Sequence, residues 1–389
     1  MKVVDFSMHH FEYQQTRTYF CQTPSGLETL AARELAALGA GGIVSGHRGV
    51  YFKADPETLY AVNYKARLLT RVLAPLLSFK CRDRDDLYRA ARSIEWAACF
   101  SVNNTFGVFA NVSKNPNLRH SKFAGLCLKD GIADYFRSGI GKRPDVDKRT
   151  PDVWLNLHIE KNRGTISLDT SGGSLHRRGY RQTSVEAPMQ EVVAAAILAL
   201  SGWDRRTPLY DPMCGSGTIL CEAAMLAGNI PAGFLRRKFG FFHLPDFRRR
   251  VWQKVKNDAD SQMTGICKGL LAGSDIDRHA VKASATNCRS LPSGEQITVS
   301  CADFKNLPGF ENRTILCNPP YGIRLKENGD LQDLYRSFGD FLKRRCPGSR
   351  AFIYFGNREM LKHVGLKASW KKPLRNAGLD GRLVKYQTY

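Results

Sequence analysis

The sequence predicts an α/β protein: an open sheet in the C-terminal half, with ligands at the carboxyl ends of its strands, behind smaller α+β modules. Three observations predict it. Apolar runs in the C-terminal half stop at polar residues suited to chemistry. These are Leu209-Tyr210-Asp211 before Gly215-Ser216-Gly217, the run 271–275 ending in Asp275, the run 297–301 ahead of Asp303, and Ile315-Leu316-Cys317 ahead of Asn318-Pro319-Pro320-Tyr321. Helical stretches at 219–227 and 280–288 lie among these runs. The front half alternates strand and helix in units short enough for a small α+β module.

A chain of 389 residues suits two or three domains, and 43% hydrophobic content is ample for real cores. No apolar run is long enough for a membrane span, and Met1 to His10 carries acidic and polar residues rather than an apolar signal core. These features imply a cytoplasmic protein with no membrane contact. None of the 11 cysteines forms a C-x-x-C pair, so no metal site is expected. The net charge of +22 is spread over both halves and attracts polyanions, nucleic acid first among them. A solvated basic face is the competing explanation.

Residues 1–17, with His9 and His10, read as a loosely held extension. Strand 18–23 turns through Pro24-Ser25-Gly26 into a helix, where Leu27, Leu30, Ala31, Leu35 and Leu38 recur at helical spacing before Gly39. Strand 50–53, helix 56–69, strand 72–79, helix 85–99 and strand 105–113 follow. A polar, basic loop containing Arg119 and Lys122 leads into helix 123–138, and Lys142 and Arg143 follow it. Runs 153–159 and 164–169 alternate as a hairpin should. The Gly-rich, basic stretch from Ser171 through Arg177, Arg178 and Arg181 reads as a linker, and helix 189–200 lies beyond it. Segment 234–256 mixes Arg236, Arg248, Arg249 and Arg250 with Phe239, Phe241 and Trp252, a composition that suits RNA contact. Its aromatics are expected to be buried and its arginines to face RNA. Strand 351–355 and a final strand 381–389 close the chain.

The strand ends carry the chemistry. Glycines at 215 and 217 let backbone approach a ligand closely, although no Walker or G-x-G-x-x-G spacing is present. Asp275 sits where an acid binds ribose hydroxyls, and Asp303 can accept from an adenine amino group. Each acid alone could be a helix cap. Together with Asn318-Pro319-Pro320-Tyr321, they describe a pocket for a nucleoside and for a planar group bearing an NH2.

The series Asp211-Pro212-Met213-Cys214-Gly215-Ser216-Gly217, Asp275, Asp303, Asn318-Pro319-Pro320-Tyr321 resembles that of class I S-adenosylmethionine-dependent methyltransferases acting on exocyclic amino groups. Gly26-Leu27-Glu28, Leu118-Arg119-His120-Ser121-Lys122 and Ser174-Leu175-His176-Arg177-Arg178-Gly179-Tyr180-Arg181, followed by Ala187-Pro188, extend the likeness. They resemble the THUMP-containing 23S rRNA guanine-N2 methyltransferases of the RlmL type. The resemblance implies an extension at 1–17, a ferredoxin-like segment at 18–80, a THUMP RNA-binding domain at 81–170 and a linker at 171–188. A Rossmann-like class I methyltransferase domain would occupy 189–389, with a basic insertion at 234–256.

By the same resemblance, Asp211, Pro212, Cys214, Gly215 and Gly217 surround the methionine part of S-adenosylmethionine, with Asn318 beside it. Asp275 takes the ribose and Asp303 the adenine. Asn318, Pro319 and Tyr321 hold the target base. Arg119, Lys122, Lys142, Arg143, Arg177, Arg178 and Arg248 to Arg250 are expected on RNA. Large-subunit rRNA or its precursor is the expected partner, with no obligate protein partner. Some family members carry a second methyltransferase domain behind this one, and that second activity is not expected here. Adenine-N6 methylation of DNA or RNA is the rival enzymatic reading. A noncatalytic RNA-binding ribosome-assembly factor is the rival of another class.

Overall fold

A computed structural model describes residues 11–185, 188–321, 328–376 and 378–389 of the protein. His9, His10, Ala187 and Gly322 lie outside the described residues.

The front half runs α1 (Glu12–Thr16), β1 (Thr18–Gln22), α2 (Glu28–Ala37), β2 (Gly41–Gly46), β3 (Gly49–Lys53), α3 (Pro56–Lys65), β4 (Arg71–Lys80), α4 (Arg84–Ser93), β5 (Phe106–Ser113), α5 (Ser121–Ile140), β6 (Val153–Glu160) and β7 (Arg163–Asp169). Its seven strands form one sheet, ordered β2-β3-β1-β4-β7-β6-β5. The long strand β4 is the hinge of this sheet. Its first three residues pair with β1, and the stretch from Leu73 to Lys80 pairs with β7. Pro75 is tolerated in this central strand because the register shifts beside it, between Pro75 and Leu77.

The rear half runs α6 (Glu191–Ser201), β8 (Leu209–Asp211), α7 (Thr218–Ala227), α8 (Arg249–Ser261), β9 (Leu271–Asp275), α9 (Arg278–Arg289), β10 (Thr298–Cys301), β11 (Thr314–Cys317), α10 (Asn328–Arg345), β12 (Arg350–Phe355), β13 (Ala368–Asn376) and β14 (Leu379–Gln387). Strand order is β10-β9-β8-β11-β12-β14-β13. The first five strands are parallel, and β14 runs antiparallel to β12. Side chains alternate between the two covered faces, as strand pleating dictates. Leu316, Phe352 and Tyr354 pack with α6 and α7, whereas Ile315, Ile353 and Phe355 pack with α10. The chain leaves β8 towards β9 on one side and returns to β8 with β11 on the other. That reversal opens a crevice beyond the carboxyl ends of β8 and β11, where open α/β sheets bind ligands.

Three expectations need correction. Residues 11–17 are not loose: Phe11 and Tyr13 are buried, and the Tyr13 hydroxyl donates to Asp246 at 2.6 Å. The aromatics of segment 234–256 are buried as expected, but their core is that of the front half. Phe239, Phe241 and Trp252 pack edge-on or stacked around Tyr60 and Tyr64 of α3. Strands β2 and β13 were not foreseen. The first is Gly-rich and mostly exposed, and the second is an edge strand whose lysines and arginine hide any alternation.

Candidate active site

The crevice is built from the ends of four strands. β8 delivers Asp211, which is 1% exposed. Burial pushes its carboxyl well above the usual carboxylate range, with the Asp275 charge adding to the effect. The chain then turns through Cys214 to Gly217. Gly215 and Gly217 both adopt left-handed backbone, and Gly217 caps the start of α7. A Cβ on Gly217 would collide with Ser284 of α9, so this position excludes side chains twice over. Beside Gly215 the space is open, the nearest atom to an added Cβ being a Val185 methyl at 4.0 Å.

Asp275, at the end of β9, accepts from the Gly215 amide at 2.9 Å and from the Asp277 amide at 3.0 Å. It therefore braces the glycine turn while staying partly exposed, next to Ile276, whose side chain is 70% exposed. Asp303 follows β10 and uses one oxygen to cap the turn at Phe304–Asn306, accepting from the Lys305 amide at 3.0 Å. Cys317, the last residue of β11, is close enough to Asp211 and Asp275 for both charges to raise its thiol pKa, behind the larger effect of burial. The carboxyl ends of β9, β8 and β11, which carry Asp275, Asp211 and Asn318, lie side by side along one edge of the sheet.

Pro319 is buried and Pro320 exposed, and the Pro320 carbonyl accepts from the Tyr335 hydroxyl at 3.2 Å. The Tyr321 ring does not project from the strand end. It lies edge-on to Tyr354 with centroids 6.0 Å apart, and a Cβ on Gly356 would sit 2.6 Å from it. The Tyr321 hydroxyl donates to the Asn318 side-chain oxygen, the acceptor the sequence reserves for a target amino group. Burial, then the Tyr354 charge, raises the Tyr321 phenol.

Two residues outside the expected set organise this crevice. The Arg181 guanidinium joins Glu191 at 3.0 Å, Ser216 Oγ at 3.0 Å, Thr218 Oγ1 at 3.1 Å and the Met189 carbonyl at 3.0 Å. Asn287 of α9 accepts from the amides of Gln182 and Thr183, and it donates to the carbonyls of Thr183 and Ser216. Together they staple the linker to the glycine turn. A buried asparagine on the inward face of an otherwise ordinary helix was the available signal for Asn287.

The cationic residues divide. Arg119, Lys122, Lys142, Arg143, Arg177, Arg248, Arg249 and Arg250 are exposed. Arg178, expected on RNA, is 1% exposed. It donates to the carbonyls of Leu175 and Arg67 and pairs with Glu222, joining the front and rear halves. Arg236 is likewise spent on backbone, donating to the carbonyls of Ser171 at 2.7 Å and Ser174 at 2.9 Å. Burial lowers its guanidinium to about 10. Among the described residues no group of His, Cys, Asp and Glu could hold a metal, and no helix is long and apolar enough to cross a membrane.

Five parallel strands in this order, an antiparallel closing strand, a glycine turn after the first strand and acids after the next two define a class I methyltransferase domain. The chain belongs to the RMKL-like methyltransferase family. The family's methyltransferase-domain model matches residues 178–385, preceded by a THUMP domain at 81–169 and an RlmL ferredoxin-like domain at 18–73. A Synechocystis protein provisionally named an RNA methyltransferase is 39% identical, over 96% of this chain and 97% of its own. The ribosomal RNA large subunit methyltransferase K/L of Vibrio campbellii is 37% identical over 95% of this chain. The chain spans about half the length of that relative, 53%. Among solved structures, a provisionally assigned methyltransferase complexed with S-adenosylhomocysteine is similar at TM-score 0.83 and 26% identity, covering 96% of this chain and 98% of its own. A Listeria monocytogenes protein named as a predicted N6-adenine-specific DNA methylase is similar at TM-score 0.82 and 26% identity, covering 97% and 98%.

The cofactor of this family is S-adenosylmethionine, and the residues present fit it. Left-handed glycines leave open backbone beside Gly215, Asp275 is half-buried rather than sealed, and an exposed apolar side chain, Ile276, adjoins it.

Proposed function

We propose that the protein methylates the exocyclic N2 amino group of a guanine in large-subunit ribosomal RNA. The observation that supports the reading is that Asn318 follows directly on β11, the parallel neighbour of β8, whose last residue is Asp211. The names of the K/L relatives and the THUMP match support a ribosomal RNA substrate. A cytoplasmic site of action follows from that substrate.

Asp211, Pro212, Cys214, Gly215 and Gly217 would border the methionine part of the cofactor, Asp275 its ribose and Asp303 its adenine. The bound cofactor supplies an electrophilic methyl group on a positively charged sulfur. The chain's own residues then act on the base. A nucleobase amino group is a weak nucleophile because its lone pair is delocalised into the ring. Accepting its hydrogens at the Asn318 side-chain oxygen and the Pro319 carbonyl returns electron density to nitrogen, and the Tyr321 ring stacks on the base. For this the Tyr321 hydroxyl must first leave Asn318. Positioning does most of the remaining work. No dedicated general base is needed, because the proton departs after transfer. The target nucleotide must be unstacked to enter, which favours loops and single strands. Arg119, Lys122, Lys142, Arg143, Arg177 and Arg248 to Arg250 would hold its backbone.

Adenine-N6 methylation stays the second reading, favoured by the name carried by the Listeria neighbour. Nucleoside mass spectrometry of ribosomal RNA incubated with the protein separates the two. N2-methylguanosine supports the proposal, and N6-methyladenosine replaces it with the second reading.

A further inference from the structure

The front sheet packs its helices against one face. Apolar side chains of α2 to α5 share a core with Tyr19, Cys21, Phe52, Val72 and Leu168. Paired residues of neighbouring strands share a face, and successive residues of one strand alternate between faces. The opposite face can therefore be followed by register. Val44 pairs with Tyr51, Tyr51 with Phe20, Phe20 with Leu73, and Leu73 with Asp169. Two residues before Asp169, Ser167 pairs with Asn156, which pairs in turn with Phe109. Trp154, two residues before Asn156, stands on this face as well.

Four aromatic rings thus stand on the face away from the helices, and none joins a hydrophobic core among the described residues. Tyr51 is 47% exposed and Val44 beside it 61%, while Phe20, Phe109 and Trp154 stay partly exposed. The rings pair with each other, Tyr51 with Phe20 at 4.7 Å between centroids and Phe109 with Trp154 at 6.1 Å. Arg71 reaches from β4 to the second pair, 4.1 Å from the Phe109 centroid and 5.3 Å from that of Trp154. Exposed apolar surface grouped in this way marks a contact site. The charges on the face select the partner. Lys53, Lys80 and Arg163 share it by register, are exposed, and have no ion-pair partner among the described residues. Its acids are already paired: Asp169 with Arg71, Glu160 with Lys114, and Asp152, just before β6, with Lys238.

We propose that this face binds an unpaired segment of the substrate RNA, with bases stacked on Tyr51 and Trp154 and phosphates at Lys53, Lys80 and Arg163. Free cations among aromatic rings suit a single strand, whose bases stack while its phosphates meet charge. A duplex keeps its bases paired and has no base face to offer. From β2 to β5 the face crosses six inter-strand spacings, roughly 29 Å, which is room for several nucleotides in a row. The proposal rests on RNA being the substrate. It adds a contact on the sheet face opposite α5, the helix that carries Lys122.

The probes are a labelled oligouridine strand and an RNA duplex of matched length, titrated into the full-length protein and followed by fluorescence anisotropy. Tyr51→Ala should weaken strand binding about tenfold and leave duplex binding unchanged. Lys80→Glu combined with Arg163→Glu should flatten the salt dependence of strand binding. Unchanged strand binding in Tyr51→Ala, or an equal loss for strand and duplex, overturns the proposal. Photocrosslinking a 4-thiouridine strand to the unaltered protein decides without any substitution. Adducts on Tyr51 or Trp154 are expected, and adducts confined to residues 119–143 or 248–250 overturn the proposal. A dimer that Tyr51→Ala abolishes would assign the face to a second copy of this chain and overturn it as well. Methyl transfer to ribosomal RNA is measured alongside. Its absence in the unaltered protein would overturn the substrate reading and this proposal with it, whereas transfer accompanied by unchanged strand binding in Tyr51→Ala overturns this proposal alone.

Discussion

The linker at 171–185 and the insertion at 234–256 are both studded with arginine, yet Arg178 and Arg181 of the one and Arg248 to Arg250 of the other use their charge in opposite ways. In the linker, Arg178 turns inward to a carboxylate and two carbonyls, and Arg181 ties Glu191 to the glycine turn. In the insertion, Phe239, Phe241 and Trp252 enter the front core, while Arg248, Arg249 and Arg250 stay in solvent. The difference lies in what each backbone leaves unsatisfied. The linker is irregular, and its carbonyls need buried donors, which a five-donor guanidinium supplies. From Arg249 the insertion is helix α8, which satisfies its own backbone and lets its cations point outward, whereas Arg236, in the irregular stretch before it, turns inward to carbonyls as Arg178 does.

The largest effect should come from Arg178→Ala. It strands Glu222 as an uncompensated buried charge, a loss of about 3–5 kcal/mol, read by chemical denaturation. A loss below about 1 kcal/mol would place Arg178 with the surface arginines after all. Trp252→Ala should follow closely, at about 3 kcal/mol for an aromatic removed from a core, and the loss should destabilise the front half.

Asp211 sharpens the contrast by being buried with no cation paired to it among the described residues. Its folded carboxyl titrates above the ordinary 3.8, so its stability contribution is present below that value and is lost as pH rises through the folded pKa. Asp211→Asn should therefore raise the melting temperature at pH 7, and the gain should vanish below about pH 4. An equal shift at both pH values would remove burial as the cause. Changing Arg248, Arg249 and Arg250 to Glu should leave the melting temperature unchanged. RNA binding should weaken, and its log–log salt slope should flatten by roughly 0.7 for each phosphate no longer neutralised. An unchanged slope would exclude this face from the RNA.

The rear sheet was legible in the sequence because three of its parallel strands, β8, β9 and β11, end at a polar residue that breaks the run, Asp211, Asp275 and Asn318. Hydrogen-bond destinations were not. Nothing in the order Arg177-Arg178 says that the first faces solvent and the second faces Glu222; that depends on a carboxylate 44 residues away. The Tyr321 hydrogen bond to Asn318 was hidden for the same reason, since it depends on the space left by Gly356. Strand β2 escaped because Gly41, Gly42 and Gly46 carry no side chains to alternate.

Asn318→Ala tests the central claim most directly, with product read by nucleoside mass spectrometry and cofactor affinity measured alongside. The account predicts N2-methylguanosine from the unaltered protein. It also predicts a fall in turnover of about 10²- to 10³-fold in the variant, with cofactor affinity nearly preserved. Full turnover in the variant, or methylation at a different amino group, would contradict it.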